Sequence, residues 1–236
     1  MTTTWTIAKR EFGAFFKSPV AYVVLGAFVP LVGYLFFSSF FLRSNASMES
    51  FFGNMPFLLL FFCPAIAMRL LAEERGQGTI EMLLTMPVRE IEVVVGKYAA
   101  ALGVLAVGLV VTLPFAYTVG KLGSLDVGAV VAGYLGTILI GGLYLAVGTF
   151  TSALTKNQVV AYIVGLAICL ALYFMGVFFS MAGPVVGPIL EYASPSYQFQ
   201  KITRGVIELR NVVYYVSVIG LLLVLSVQTL EARKWK

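Results

Sequence analysis

Six long runs without a charged residue divide this chain, and they constrain its fold more than any other feature. The hydrocarbon core of a bilayer is about 30 Å thick, and a helix needs roughly 20 apolar residues to cross it. Every run is close to that length or longer. The runs cover residues 19–42, 50–68, 98–120, 127–155, 157–190 and 211–230. The simplest interpretation is an all-α integral membrane protein with six transmembrane helices.

The overall composition supports a chain with no soluble domain. Only 11% of the residues are charged and 60% are hydrophobic, whereas roughly 25% of the residues in a soluble domain are charged. The polar surface is therefore too small to cover a globular unit in water. We predict that residues 1–236 form a single transmembrane domain.

The distribution of lysine and arginine predicts the orientation of the chain. If the N-terminus is cytoplasmic, the cytoplasmic segments hold 11 of the 16 basic residues and the outer segments hold 5. Basic residues accumulate on the cytoplasmic side of membrane proteins, so we expect both termini to be cytoplasmic. The net charge of +5 then reflects topology, and we expect contacts with membrane lipid and none with nucleic acid.

Two segments outside the runs are amphipathic. Residues 1–17 carry apolar side chains at helical spacing, which is typical of an interfacial helix on the inner leaflet. The alternative is an extension of the first span, which Pro19 makes less favourable. The second segment, residues 183–211, contains three prolines followed by an amphipathic stretch. The run 157–190 is too long for one straight span, so we expect a break near Gly183 and short re-entrant half-helices on the outer side. The amphipathic stretch carries Phe199, Ile202, Val206 and Leu209 at spacings of three or four.

Residues 69–97, between the second and third spans, hold nine of the 27 charged residues. Within this segment Thr79 is suited to cap a helix N-terminus, and Glu81 would lie in the first turn, where the helix dipole favours a carboxylate. Pro87 prevents the helix from continuing. The pattern predicts a two-turn helix over residues 79–86, with an apolar side. That side consists of Ile80, Leu83 and Leu84.

A helix of two turns is not stable alone, so its apolar side needs a partner. Two interpretations fit the spacing equally well: a groove on another protein, or the inner leaflet of the membrane. The charged residues just before it, Glu73, Glu74 and Arg75, would form ion pairs with the same partner or a solvated charged loop.

Several functions are excluded by missing chemistry. The chain has no histidine, and no span contains an acidic or basic residue in its interior, which argues against an enzyme, a metal site and an ion-coupled carrier. A phosphate-binding Gly-x-x-x-x-Gly-Lys-Ser/Thr loop does not occur, so active transport would use ATP hydrolysed by another chain. We expect no catalytic, cofactor or metal residue here. The main polar groups inside the spans are Tyr134, Tyr144, Tyr162 and Tyr173. These tyrosines would line a substrate path or, alternatively, be packed and hydrogen-bonded.

An ordered set of short patches resembles a known family. They run from Ala-Lys-Arg-Glu at residues 8–11 and Ser-Pro-Val-Ala-Tyr at 18–22 to Tyr-Tyr at 214–215. The most specific patch is Gly-Thr-Ile-Glu-Met-Leu-Leu-Thr-Met-Pro at 78–87. The others lie at residues 72–75, 96–97, 194–195, 199 and 204–207. Together they resemble the six-span permease subunits of ABC-2-type exporters, in the group that includes gliding-motility-type permeases.

The resemblance implies a bacterial inner-membrane exporter. Residues 1–17 would be the connecting helix, residues 79–86 the coupling helix docked on a separate ABC ATPase, and residues 183–211 the re-entrant outer half-helices. ATP and magnesium would bind the ATPase. A second permease copy or close relative would complete the pathway, together with an extracytoplasmic auxiliary protein. The coupling residues would be Glu73, Glu74, Arg75, Thr79, Ile80, Glu81, Leu83, Leu84 and Pro87. The alternative function is a non-transporting membrane anchor that transmits ATPase-driven motion to an envelope partner.

Overall fold

The structure is a computed structural model that describes residues 2–43, 48–78, 89–122, 126–178, 192–205 and 208–232. Within these ranges every regular element is an α-helix. The helices are α1 (Thr2–Lys17), α2 (Pro19–Arg43), α3 (Glu49–Ala67), α4 (Arg69–Gly76), α5 (Glu90–Leu122), α6 (Val127–Leu154), α7 (Gln158–Phe178), α8 (Pro195–Thr203) and α9 (Leu209–Glu231).

Six of the described helical stretches are long and apolar enough to cross a membrane. They are α2, the combined α3 and α4, α5, α6, α7 and α9. This finding confirms the prediction of an all-α protein with six spans. The physical reason is that a bilayer offers no hydrogen-bond partner to a backbone, so each crossing must satisfy its own amides within a helix.

Helix α6 lies at the centre of the bundle, where it contacts every other helix from α3 to α9. Glycines let the neighbouring side chains approach its backbone closely. A Cβ atom at Gly133 would lie 2.5 Å from the Phe52 ring, and one at Gly141 would lie 2.5 Å from Leu105. The small residues of this span therefore serve packing within the subunit.

Helices α2, α7 and α9 lie at the periphery and have the fewest buried residues among the spans. Their outward side chains, such as Val23, Val159 and Leu221, are large, apolar and exposed. In a membrane protein such faces meet lipid chains, which solvate them as well as another apolar side chain would.

Helix α1 is separate from the first span. Ser18 forms a bend between α1 and α2, and its hydroxyl accepts a hydrogen bond from the N–H of Val20 at 3.4 Å. The interpretation of α1 as an extension of the first span is therefore wrong. Helix α1 packs along the first turns of α5, where a Cβ at Gly96 would lie 2.9 Å from Ile7 and 3.0 Å from the Thr4 carbonyl. Its place at the membrane interface stays a prediction.

The charged segment 69–97 is mostly helical in its described parts. Residues 69–76 form α4, which follows α3 after a single turn residue, Met68, and α5 begins at Glu90, well before the apolar run that starts at Tyr98. The predicted helix over residues 79–86 lies outside the described residues. The same holds for Thr79, Ile80, Glu81, Leu83, Leu84 and Pro87.

Helix α8 begins with a Ser194 cap, whose hydroxyl accepts from the N–H of Tyr197 at 3.4 Å. It buries Phe199 and Ile202, and the chain turns at Gly205, which has a φ of 88°. Leu209 then starts α9 and is 79% exposed, so it does not share the buried side of α8, and Val206 lies outside the described residues. The expected break near Gly183 lies outside the described residues, and the re-entrant character of this segment stays a prediction.

Candidate functional site

The interruption between α3 and α4 is held by a serine of the central helix. The Ser152 hydroxyl accepts hydrogen bonds from the N–H groups of Leu71 at 3.0 Å and Ala72 at 2.9 Å. It donates to the carbonyl of Met68 at 2.8 Å. Helix α4 is therefore an ordered element fixed to the end of α6.

The alternative of a solvated charged loop at residues 73–75 is wrong. Arg75 is 5% exposed, and its guanidinium donates to the carbonyl of Ala153 at the end of α6. The last carbonyls of a helix lack an intrahelical partner and attract a cation. Glu73 pairs with Arg69 one turn earlier in α4, at 3.2 Å. These side chains are held within the subunit because α4 is helical and lies against α6.

A buried lysine joins three helices. Lys97, in the second turn of α5, is 2% exposed. Its ammonium lies 2.7 Å from a carboxylate oxygen of Glu74 in α4 and 3.3 Å from one of Glu11 in α1. A buried charge is tolerated when it is paired and hydrogen-bonded, and two carboxylates meet that requirement. The ion pairs tie the N-terminal helix and α4 to the third span.

Arg69 connects the same region to the junction between α1 and α2. Its guanidinium donates to the Ser18 hydroxyl at 2.9 Å and lies over the Phe15 ring, 5.2 Å from the ring centre. The planar guanidinium suits such combined hydrogen-bonding and stacking contacts. Four elements thus converge at one end of the bundle: α1, α4, the start of α5 and the end of α6.

A cavity of about 160 Å³ lies among these side chains. Its charged lining consists of the three carboxylates of Glu11, Glu73 and Glu74 and the two cations Arg69 and Lys97. Among the described residues no three potential ligands are grouped to hold a metal ion. The arrangement has the chemistry of an ion-pair network that links helices mechanically.

The comparisons with known proteins place the chain in a family. A family described as "ABC-2 family transporter protein" matches residues 38–230, which is most of the chain. The chain belongs to the ABC-2 transporter family. No curated protein matches the sequence. As an ABC-2 chain with six apolar helices, it is a multi-pass membrane permease subunit of an ABC transporter, and membership implies an ABC ATPase as its partner.

The four tyrosines proposed for a pathway occupy different environments in this ABC-2 permease. Tyr134 shares a hydrogen bond of 3.2 Å with Thr112, and Tyr144 has no exposed surface. Tyr162 and Tyr173 are half-buried on α7. Tyr134 is thus packed and hydrogen-bonded, and a role of the four in lining a path stays a prediction.

Four residues of the site were missed as site residues by the sequence reasoning. They are Glu11, Arg69, Lys97 and Ser152. Glu11 and Lys97 do lie in patches that carry the family resemblance, at residues 8–11 and 96–97, which was the available signal. Ser152 gave none, because a serine within an apolar run looks like any other small residue of a span.

Proposed function

We propose that this chain is the membrane-spanning permease of an ATP-driven ABC exporter in a bacterial inner membrane, with both termini in the cytoplasm. Residues 79–86 dock as a coupling helix on a separate ATPase, through Ile80, Leu83 and Leu84. Glu81 favours the N-terminal end of that helix. The family match supports the permease role, and the resemblance of residues 78–87 supports the coupling helix.

The observation that carries the proposal is the attachment of α4. This helix leads directly into the proposed coupling segment, and it is bonded to α6 through Ser152 and Arg75 and to α5 through the Glu74–Lys97 ion pair. A displacement applied to residues 79–86 would therefore reach the third and fourth spans through short, buried contacts, as coupling in a transporter needs.

The working unit under this proposal contains two permeases, either two copies of this chain or this chain with a close relative, and two ATPase subunits. An extracytoplasmic auxiliary protein would join it, as in the gliding-motility-type group that the sequence resembles. Six spans provide half of the pathway that such an exporter needs, which is the reason for expecting a dimer.

Docking is tested by Leu83→Asp, which places a charge in the apolar contact. Removing a buried anchor commonly costs about 2 kcal/mol or more of binding free energy, so recovery of the ATPase with the purified permease should fall at least about tenfold. Leu83→Met is the matched control, since it keeps an apolar side chain of similar volume and should retain binding. Membrane insertion should be unaffected in both variants, because residue 83 lies outside every span.

Equal recovery of the ATPase with Leu83→Asp and wild type would refute docking through this helix. The alternative function, a membrane anchor that passes ATPase-driven motion to an envelope partner, shares the docking contact. It is separated from export by ATP-dependent cargo movement in vesicles that contain the complex.

A further inference from the structure

The helix interruption at Met68 is bridged by a side chain from another helix. In an uninterrupted α-helix, the N–H of Ala72 would donate to the carbonyl of Met68, four residues earlier. Here the Ser152 hydroxyl stands between the two groups: it accepts from Ala72 at 2.9 Å and donates to Met68 at 2.8 Å. A side chain inserted into the hydrogen-bond ladder in this way is a recognised cause of helix bending.

Solvent water does not compete with the Ser152 hydroxyl for these backbone groups. Ser152 is fully buried, with 0% of its surface exposed, so solvent water cannot take its place. It also accepts from Leu71 at 3.0 Å, so one hydroxyl satisfies three backbone groups of the α3–α4 junction. Without it, these groups would be left unpaired or would return to the regular ladder, and either change would alter how α4 continues from α3.

The remainder of α4 follows the direction that the junction sets. Arg75 reaches the carbonyl of Ala153, and a Cβ at Gly76 would lie 3.0 Å from the carbonyl of Lys156. Helix α4 thus runs beside the end of α6 and ends at Gly76. Two residues later the chain turns at Gly78, a left-handed glycine with a φ of 72°. The proposed coupling segment begins at the next residue.

We propose that Ser152 is a positioning residue for ATP coupling: its hydroxyl holds the α3–α4 junction and so sets the position of α4, the helix through which motion of the docked coupling segment reaches the spans. This inference rests on the proposed function. It assigns to a serine of the fourth span a role in transmission that is distinct from docking, because the residue is buried inside the subunit and is bonded to α4.

The position of α4 is tested by cross-linking the purified permease without its ATPase. Cysteines replace Gln77 and Lys156, which are exposed near the contact between Gly76 and the Lys156 carbonyl. The buried Cys63 and Cys169 are changed to alanine in the same protein. A short bismaleimide should join the pair efficiently. Ser152→Ala should lower the ratio of cross-linkable to displaced α4 conformers roughly fivefold, the effect of losing about one net hydrogen bond, and should so reduce the yield.

Matched variants distinguish the effect of the Ser152 hydroxyl from the effects of side-chain volume and of losing any buried hydroxyl. Thr149→Val removes a fully buried hydroxyl one turn earlier that donates only within its own helix, to Leu145 at 2.8 Å, and should leave the yield unchanged. Ser152→Thr and Ser152→Val are close in volume and differ in the hydroxyl, so only the threonine should keep the wild-type yield. This pair decides the question if Ser152→Ala is poorly recovered.

The coupling role is tested in the complex with the ATPase. Ser152→Ala should bind the ATPase in wild-type amount, because the docking surface is intact. The change in ATP hydrolysis rate that the wild-type permease causes should nevertheless fall at least about threefold, as a misdirected contact would produce. Wild-type cross-linking yield or wild-type hydrolysis with Ser152→Ala would overturn the inference.

The experiments distinguish an error in the proposed function from an error in the role of Ser152. If the wild-type permease recovers no ATPase, docking and the coupling role are both refuted. The cross-linking of the permease alone still decides whether Ser152 sets the position of α4.

Discussion

Lys97 shows how one buried charge can hold three helices together. Its ammonium lies 2.7 Å from Glu74 and 3.3 Å from Glu11, and both carboxylates keep some contact with solvent, at 18% and 17% exposure. Such an arrangement contributes little net stability compared with apolar packing, yet breaking it is costly because the remaining charges are left in a poor environment.

Replacement of Lys97 by methionine should therefore destabilise the permease by about 3 kcal/mol. The loss would appear as a lower melting temperature in detergent, measured by fluorescence-detected size-exclusion chromatography. Glu11→Gln removes the longer ion pair with Lys97 and the exposed pair with Arg10, and it should cost about 1 kcal/mol or less. The triple variant Lys97→Met, Glu74→Gln and Glu11→Gln should recover much of the loss. An unchanged melting temperature for Lys97→Met would show that the ion pairs are irrelevant to stability.

Gly133 is a second position where one atom decides packing. An added Cβ would lie 2.5 Å from the ring of Phe52, whereas one at Gly220 on α9 would meet no atom within 4 Å. Gly133→Ala should destabilise the protein by about 1–3 kcal/mol through overpacking, and Gly220→Ala should be neutral or slightly stabilising. Melting temperatures in detergent compare the two, and equal values would contradict the close approach of α3 and α6.

At the scale of elements, α8 is anchored by tyrosines of the last span. The Tyr215 hydroxyl donates to the carbonyl of Pro195 at 2.7 Å, and the Tyr214 hydroxyl donates to the carbonyl of Ala193 at 2.5 Å. Because Tyr215 and Pro195 are buried, no water replaces the hydroxyl if it is removed. These bonds hold the start of α8 against α9.

Tyr215→Phe should loosen α8 without unfolding the bundle. Losing one buried hydrogen bond costs about 1 kcal/mol, so amide hydrogen exchange in residues 195–203 should accelerate roughly fivefold. Tyr34→Phe is the control, since Tyr34 is 71% exposed and should leave exchange in α8 unchanged. Equal protection of α8 in both variants would refute the anchoring role of the hydroxyl.

At the scale of the whole molecule, the six spans and the bias of basic residues predict one orientation. An impermeant maleimide added outside the membrane should label cysteines at Val127 and Gln200, which are both exposed. Cysteines at Gln77 and Lys156 should react only after the membrane is permeabilised. The native cysteines, Cys63 and Cys169, are buried and should not react with the maleimide. If a cysteine at position 77 were labelled from outside, the predicted orientation would be wrong.

The spans themselves were predictable because hydropathy is a local property. A run of about 20 apolar residues must form a helix in lipid whatever the rest of the chain does. The resemblance to ABC-2 permeases was predictable for a similar reason, since short ordered patches carry it. The coupling helix at residues 79–86 also follows from local signals, and it remains a prediction because it lies outside the described residues.

The contacts that build the site were decided only by the tertiary structure. Ser152 meets Ala72 across 80 residues and Lys97 meets Glu74 across 23, and no local pattern specifies which faces of two distant helices meet. The charges of residues 73–75 appeared solvated for the same reason: their sequence spacing does not reveal that α4 lies against the last carbonyls of α6. Periodicity defines helices, whereas close packing of their side chains selects the partners.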